Sequence, residues 1–423
     1  MLDIKFIRDH PDLVKEGIKK KGENVDVDEL LKLDADLRGL LTKNEALKAR
    51  RNVASEQIGK LKREGKDASA ALAEVDTVKS QIKALEEDQK RLEESVSRLM
   101  MLLPNIPHPS VPVGNKPSDN QEIATWGEAP AIDFKPQTHW DLASKLGIID
   151  FDRGARIAGA GFPVYVGPGA KLQRALINFF LDEASSHGYR ELQPPLMINS
   201  ASATGTGQLP DKEDLMYAVP KDELYLVPTA EVPVTNFHRD EILSEQDLPI
   251  RYCAYTPCFR REAGSYGKDV RGLNRLHQFD KVELVKFVHP GVSYNELEAL
   301  RSDGEQLLQK LGLRYRVLLM CTGDMGFTQS KKYDLEVWSI GQQRWLEVSS
   351  ISNFEAFQAR RINVRFRPRG GGKPEFVHTL NGSGLALPRI VAALLENYQT
   401  PEGKVVMPKA LHKYTGFEVI GQA

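Results

Sequence analysis

Cysteine is scarce in this chain. Its 423 residues hold three, Cys253, Cys258 and Cys321, an odd number with no CxxC spacing, so neither a disulfide framework nor a thiolate zinc site is supported. A reducing compartment is the expectation. Also lacking is any apolar run near the roughly 18 to 20 residues of a membrane helix. Met1, Leu2, Asp3, Ile4 and Lys5 do not have the charged-then-apolar build of a signal peptide. A cytoplasmic protein without a membrane partner is therefore expected. An excess of one charge is missing too: 57 basic residues stand against 58 acidic ones, which excludes a uniformly basic nucleic-acid-coating protein but leaves room for local patches. With 41% hydrophobic and 27% charged residues, the remainder of the composition is that of a globular chain of two or three domains.

What is present begins with a seam. Leu30, Leu33, Leu37, Leu40, Asn44, Leu47, Arg51, Ala54, Ile58 and Leu61 fall at alternating steps of three and four, the spacing of a coiled coil. A second series runs through Ala71, Val75, Val78, Ile82, Leu85, Gln89, Leu92, Val96 and Leu99, after a stop signal at Gly65. Partners across an antiparallel hairpin have position numbers with a constant sum. Leu61 with Ala71, Ile58 with Val75, Leu47 with Leu85, Leu37 with Val96 and Leu33 with Leu99 all sum to 132 or 133. The spacing thus predicts two helices folded back over about residues 28–102, with a tip near 64–67. At about 1.5 Å per residue the first would span roughly 45 to 50 Å. In this register Asn44 meets Gln89, a polar layer that penalises slipped pairings, because a slip would set each amide against apolar side chains.

The tip half of the first helix is basic. Lys43, Lys48, Arg50, Arg51, Lys60, Lys62, Arg63 and Lys66 are opposed only by Glu45, Glu56 and Glu64. Such a rod suits phosphate contacts, although a solvated helix face carries the same charges. After residue 103 come Pro104, Pro107, Pro109, Pro112 and Pro117, a stiff linker over 104–120 that no helix continues through. Residues 121–423 form a second, larger domain that mixes strands and amphipathic helices and is long enough to bury its own core.

Several segments of that domain carry chemistry. Leu172 to Ala184 marks a helix face, followed by a short strand over Tyr189 to Gln193 that runs into Pro194 and Pro195. Ile250 to Glu262 and His277 to Phe287 read as strands, separated by a polar loop with three glycines, Lys268 and Arg271. Period two sets His277, Phe279, Lys281 and Glu283 on one face, and Arg260 with Glu262 on one face of the preceding strand. Guanidinium groups beside a cationic loop suit a polyphosphate, and Phe279 offers a surface on which a base can stack. In Leu226 to Glu231 the same alternation brings Thr229 and Glu231 together, able to bind an ammonium or hydroxyl group. Glu347 and Ser350 are hard oxygen ligands of the kind Mg²⁺ takes alongside phosphates. Strict alternation would put them on opposite faces, so joint metal binding requires a bulge or strand end there. Asn381, Gly382, Ser383 and Gly384 are expected to open a helix whose buried face is Leu387, Val391, Leu394 and Leu395, with Arg389 one turn inside.

Taken together these segments resemble the class II aminoacyl-tRNA synthetases, and among them the bacterial-type seryl-tRNA synthetases. The resemblance rests on Thr-Ala-Glu at 229–231, Phe-Arg-Arg-Glu-Ala-Gly-Ser at 259–265, Arg-Gly-Leu-Asn-Arg-Leu-His-Gln-Phe at 271–279, Glu-Val-Ser-Ser at 347–350 and Asn-Gly-Ser-Gly-Leu-Ala at 381–386. It covers nearly the whole chain. It implies an α+β fold, an antiparallel β-sheet catalytic domain flanked by helices, with an N-terminal tRNA-binding domain over 1–103 bearing the coiled-coil arm. By the same resemblance the partners are ATP, L-serine, tRNA(Ser) and also tRNA(Sec), and the chain is a homodimer joined partly around Pro195.

Roles are implied residue by residue. The ATP-binding set is Arg260, Arg261, Glu262, Leu276, Phe279, Glu347, Val348, Ser349, Ser350 and Arg389, with Arg260 at the α-phosphate, Glu262 near the adenine, the Leu276 backbone at its edge and Phe279 against its face. Arg275 would help with phosphates. Arg260 and Arg389 are the catalytic charges, and Glu347 with Ser350 would hold Mg²⁺. Thr229, Ala230, Glu231, Glu283 and Ser383 would surround serine. Lys43, Lys48, Arg50, Lys60, Lys62 and Arg63 would meet the long variable arm of tRNA. Arg261 and Pro388 depart from residues common among relatives. Two other readings compete with this one. One is a synthetase-like ligase that loads a carrier protein, against which the long arm speaks; the other is a coiled-coil scaffold with a decayed enzyme domain, against which the complete charged set speaks.

Overall fold

The structure, a computed structural model, describes residues 1–210, 213–262 and 271–421. The loop residues 263–270, including Lys268 and the Ala-Gly-Ser end of the 259–265 motif, lie outside the described residues. The chain divides into two compact units, Met1–Pro104 and Asn105–Ala423.

In the first unit, helices α1 (Val27–Arg63) and α2 (Ser69–Leu102) pack along their lengths. The Asp26 carboxylate accepts from the Glu29 amide at 2.9 Å, satisfying one of the unpaired donors that open α1. Gly65, at φ +66°, reverses the chain. Most of the buried positions belong to the seam: Leu30, Asn44 and Ala54 on α1, and Ala71, Val75, Val78 and Ile82 on α2. Asn44 Nδ2 donates to Gln89 Oε1 at 3.2 Å, the polar layer in the register that the position sums require. A second buried polar group, Asp34, pairs with Arg8 at 3.2 Å and Arg38 at 3.0 Å.

The second unit is built on an eight-stranded sheet: β1 (Gln121–Trp126), β2 (Arg190–Glu191), β3 (Ile250–Phe259), β4 (Gln278–Val288), β5 (Tyr315–Leu319), β6 (Lys331–Ser339), β7 (Arg344–Asn353) and β8 (His378–Ala386). Its order is β1-β5-β6-β7-β8-β4-β3-β2, antiparallel throughout except for the β2–β3 edge. Helices α3 (His139–Lys145), α4 (Pro168–Ser186), α5 (Glu231–Thr235), α6 (Ser293–Lys310) and α7 (Leu387–Asn397) surround it. Val282 and Leu284 of β4 enter one apolar core with Leu176 of α4, Leu300 of α6 and Val391 of α7. Period two then turns Phe279, Lys281 and Glu283 to the other face, where the cavity lies. Among the described residues no helix is long and apolar enough to cross a membrane.

Four local expectations are corrected. The strand predicted to reach Glu262 ends at Phe259: the Arg261 amide bonds to the Leu215 carbonyl instead of a sheet neighbour, and Glu262 at φ +48° cannot continue a strand. The strand predicted over Tyr189 to Gln193 contracts to Arg190–Glu191. Asn381 to Gly384 do not open a helix. They lie inside β8, paired with β4 from Val285↔Asn381 to Glu283↔Ser383, and α7 starts only at Leu387. Gly382 serves close packing there, since a Cβ would meet Ile351 Cγ1 at 3.1 Å and Leu300 Cγ at 3.2 Å. Finally, Thr229 and Glu231 do not alternate along a strand, which ends at Leu226. They meet because the Thr229 hydroxyl accepts the Glu231 amide at 3.2 Å where the chain turns into α5.

Candidate active site

A cavity of about 440 Å³ opens on the sheet face opposite the core helices. Thr229, Glu231, Arg260, Glu262, Leu276, Phe279, Glu283, Glu347, Val348, Ser349, Ser350, Ser383 and Arg389 all line it. Two predicted residues do not. Ala230 is fully buried in an apolar cluster with Val285 and Phe287, and Arg261 is exposed outside the cavity. Pro195 is exposed beside Leu196 and Met197, which are 42% and 49% exposed.

One end is set by a carboxylate. Glu283 Oε2 accepts from Thr229 Oγ1 at 3.3 Å, its Oε1 accepts from Asn381 Nδ2 at 3.2 Å, and Lys281 Nζ lies 2.6 Å from Oε2. Glu231 Oε1 accepts from Gln358 Nε2 at 2.8 Å. Small hard donors and acceptors therefore crowd a buried corner, suited to a zwitterion bearing a hydroxyl.

The other end is cationic. The Arg260 guanidinium sits 5.2 Å from the Phe279 ring centroid, and its Nε donates to the Pro228 carbonyl at 3.3 Å. Arg275 pairs with Glu262 rather than standing alone. Arg389 is held by two carbonyls: its Nε donates to Asn274 at 3.1 Å and its Nη1 to Glu347 at 2.7 Å.

Between the two ends the β6–β7 register slips. Asp334 faces Ser350, Leu335 faces Ser349 and Glu336 faces Glu347, leaving Val348 unpaired. This is the bulge that joint action of Glu347 and Ser350 requires: their partners Glu336 and Asp334 are two apart, so Glu347 and Ser350 share a face. Ser350 Oγ donates to Asp334 Oδ1 at 2.6 Å. Burial pushes Asp334 up to about 7, with Lys332, 3.3 Å away, opposing. Desolvation favours the neutral acid at Glu347 as well, but Arg389, Lys332, Arg260 and Lys281 outweigh it and hold the carboxyl below the usual range. An ionised carboxylate next to a hydroxyl fits a magnesium ion bound together with phosphates, which takes only one or two protein carboxylates.

Some contributors were not assigned roles from sequence. Lys281 and Asn381 lay inside quoted patterns, so their place was legible although their partnership with Glu283 was not. Asp334, Lys332 and Gln358 carried no local signal, because each acts across strands or through a helix remote in sequence.

Comparison with known proteins shows the family. Residues 1–107 match the family model of the seryl-tRNA synthetase N-terminal domain, and residues 217–398 match the tRNA synthetase class II core domain (G, H, P, S and T). The serine–tRNA ligase of Salinibacter ruber is 59% identical over 425 residues, covering 100% of this chain and 99% of the relative. That of Thermodesulfovibrio yellowstonii is 52% identical, covering 99% and 100%. The crystal structure of seryl-tRNA synthetase from Pyrococcus horikoshii complexed with ATP aligns with a TM-score of 0.94 at 40% identity over 99% of each chain. With both domains matched and identity sustained from end to end, this chain belongs to the seryl-tRNA synthetase family of class II aminoacyl-tRNA ligases.

Proposed function

We propose that the cavity forms seryl-adenylate and that the same site then passes serine to the 3′ end of tRNA(Ser). A serine carboxylate oxygen attacks the α-phosphorus of ATP, the bond to the bridging oxygen of the β-phosphate breaks, and pyrophosphate leaves. A hydroxyl of the terminal adenosine next attacks the activated carbonyl, and AMP departs. No side chain acts as a covalent nucleophile. Catalysis comes from positioning and from fixed charge facing the transferring phosphoryl group.

The observation that carries this reading is the convergence, on one cavity, of residues from five separated segments. Arg260 serves the α-phosphate, Arg389 the departing phosphates, and Glu262, Phe279 and the Leu276 backbone the adenine. Thr229, Glu231, Glu283 and Ser383 enclose serine, and polar groups aimed at its hydroxyl reject alanine by leaving themselves unpaired. Glu347 and Ser350 would hold Mg²⁺, which supplies charge neutralisation on the phosphates when bound.

The exposed Pro195, Leu196 and Met197 support a homodimer contact in that region, and the basic half of α1 supports contact with the variable arm of tRNA. The long arm of tRNA(Sec) makes it a second substrate by the same chemistry. The compartment that goes with this reading is the cytoplasm. Arg260→Ala tests the central claim: serine-dependent ATP/pyrophosphate exchange should fall at least ~100-fold. Near-normal exchange would refute the assignment.

A further inference from the structure

Among the described residues, His139 and Glu396 form a fully buried titratable pair that the mechanism above does not use. His139, at the start of α3, and Glu396, in the last turn of α7, are both 0% exposed, and His139 Nδ1 lies 2.8 Å from Glu396 Oε1. The other ring nitrogen decides the proton arrangement. Nε2 accepts the Leu273 amide at 2.8 Å, so it carries no hydrogen, and the proton sits on Nδ1, donated to Glu396.

Glu396 reaches the same stretch of chain by a second route. Its Oε1 accepts from Gln342 Nε2 at 3.1 Å, and Gln342 Oε1 accepts from Asn274 Nδ2 at 2.9 Å. Ser339 Oγ and the Gly341 amide, the latter at 3.1 Å, donate to the remaining oxygen. Two hydrogen-bonded arms from one carboxylate thus end on consecutive residues, Leu273 and Asn274. The Asn274 carbonyl in turn accepts Arg389 Nε at 3.1 Å, and Arg389 stands about two turns before Glu396 on the same helix. Packing closes the clamp from outside. A Cβ on Gly272 would meet His139 Nε2 at 2.3 Å, and the Arg271 guanidinium lies 4.9 Å from the Trp140 ring centroid.

We propose that His139 is a positioning residue for the nucleotide end of the cavity: by holding the Leu273 amide against the Glu396-anchored frame, it fixes the 271–276 segment that presents Arg275, Leu276 and the carbonyl orienting Arg389. This rests on the ATP-site reading above. Among the described residues the hydrogen bonds of His139 go to Glu396 and Leu273 and, at 3.4 Å, Gln342, not to the serine corner, so the expected effect falls on ATP.

The two hydrogen bonds can be separated. His139→Asn keeps a donor where Nδ1 stood but loses the acceptor for Leu273, whereas His139→Gln keeps an acceptor at the Nε2 position and loses the donor to Glu396. In ATP/pyrophosphate exchange, His139→Asn should raise the KM for ATP by about tenfold, the scale of one buried amide left unpaired, with the KM for serine within about twofold. His139→Gln should restore the KM for ATP to within about threefold of the parent. The reverse ranking, with Gln damaged and Asn normal, or equal rises in both KM values, would show a purely structural pair and overturn the proposal. Thermal unfolding of each variant separates loss of fold from loss of position. If both variants melt too early to assay, Gln342→Met, which leaves His139 in place and removes the second arm to Asn274 together with the Arg344 Nε bond to Gln342 Oε1, provides the measurement: an unchanged KM for ATP there overturns the proposal. Arg260→Ala run in parallel distinguishes the failures. If it abolishes exchange while His139→Asn does nothing, the positioning role falls and the ATP site stands; if Arg260→Ala is also silent, the site reading itself has failed.

Discussion

Lys281 and Glu283 form an ion pair at 2.6 Å, with their side chains 9% and 1% exposed, on the face of β4 that lines the cavity. The pair sits in the corner proposed to enclose serine, and with Thr229 and Asn381 it orients the Glu283 carboxylate before substrate enters. Removing one partner of such a pair leaves an uncompensated buried charge. Lys281→Met should therefore destabilise the second unit by about 3 to 5 kcal/mol in urea unfolding, and the double variant Lys281→Met with Glu283→Leu should recover much of it. A loss below ~1 kcal/mol for the single variant would show that water or Asn381 already compensates Glu283.

Glu347 and Ser350 share a face only because Val348 is inserted in β7. Glu347→Gln and Ser350→Ala should each raise the magnesium concentration for half-maximal exchange by about tenfold, without changing the KM for serine by more than about twofold. Magnesium titrations that superpose on the parent would remove both residues from the metal site.

The basic residues of α1 are not equivalent. Lys48 pairs with Glu86 at 2.9 Å and Arg50 with Glu74 at 2.7 Å, whereas Lys43, Lys60 and Lys62 have no ion pair among the described residues. Replacing Lys43, Lys60 and Lys62 by Glu should cut kcat/KM for tRNA charging at least ~10-fold and flatten its salt dependence, while ATP/pyrophosphate exchange is unchanged. Lys48→Met with Arg50→Met should do less. Equal effects from the two sets would mean that the ion pairs yield to phosphate.

Burial pushes the His378 imidazole down to about 4, with Glu355 opposing and His289 and Arg360 reinforcing. Its Nδ1 lies 2.9 Å from Ser293 Oγ. In the unfolded chain the ring titrates near 6.5, so below that pH the unfolded state binds the extra proton. Stability is fully present above about pH 6.5 and declines as pH falls toward 4, by up to ~3 kcal/mol from this group. His378→Gln should flatten that part of the stability–pH curve. A parallel, unflattened decline in the variant would assign it to other groups.

Much of this protein was settled by local pattern. The seam from Leu30 to Leu99 determined helix, fold-back and register at once, because hydrophobic spacing and a constant position sum admit one alignment, and Asn44 met Gln89 as that alignment requires. Alternation along 277–287 likewise placed Phe279, Lys281 and Glu283 on one face before any fold was known. Tertiary structure decided what depends on neighbours remote in the chain. Asn381 to Gly384 read locally as a helix opening, but pairing with β4 and contact with Leu300 make them strand. Thr229 and Glu231 meet through a local turn closed by the Thr229 hydroxyl and the Glu231 amide rather than through alternation, and the clamp joining His139, Glu396, Leu273 and Asn274 gathers segments more than a hundred residues apart. Spacing encodes periodic burial along one element; hydrogen bonds between elements are fixed only when the whole chain has folded around them.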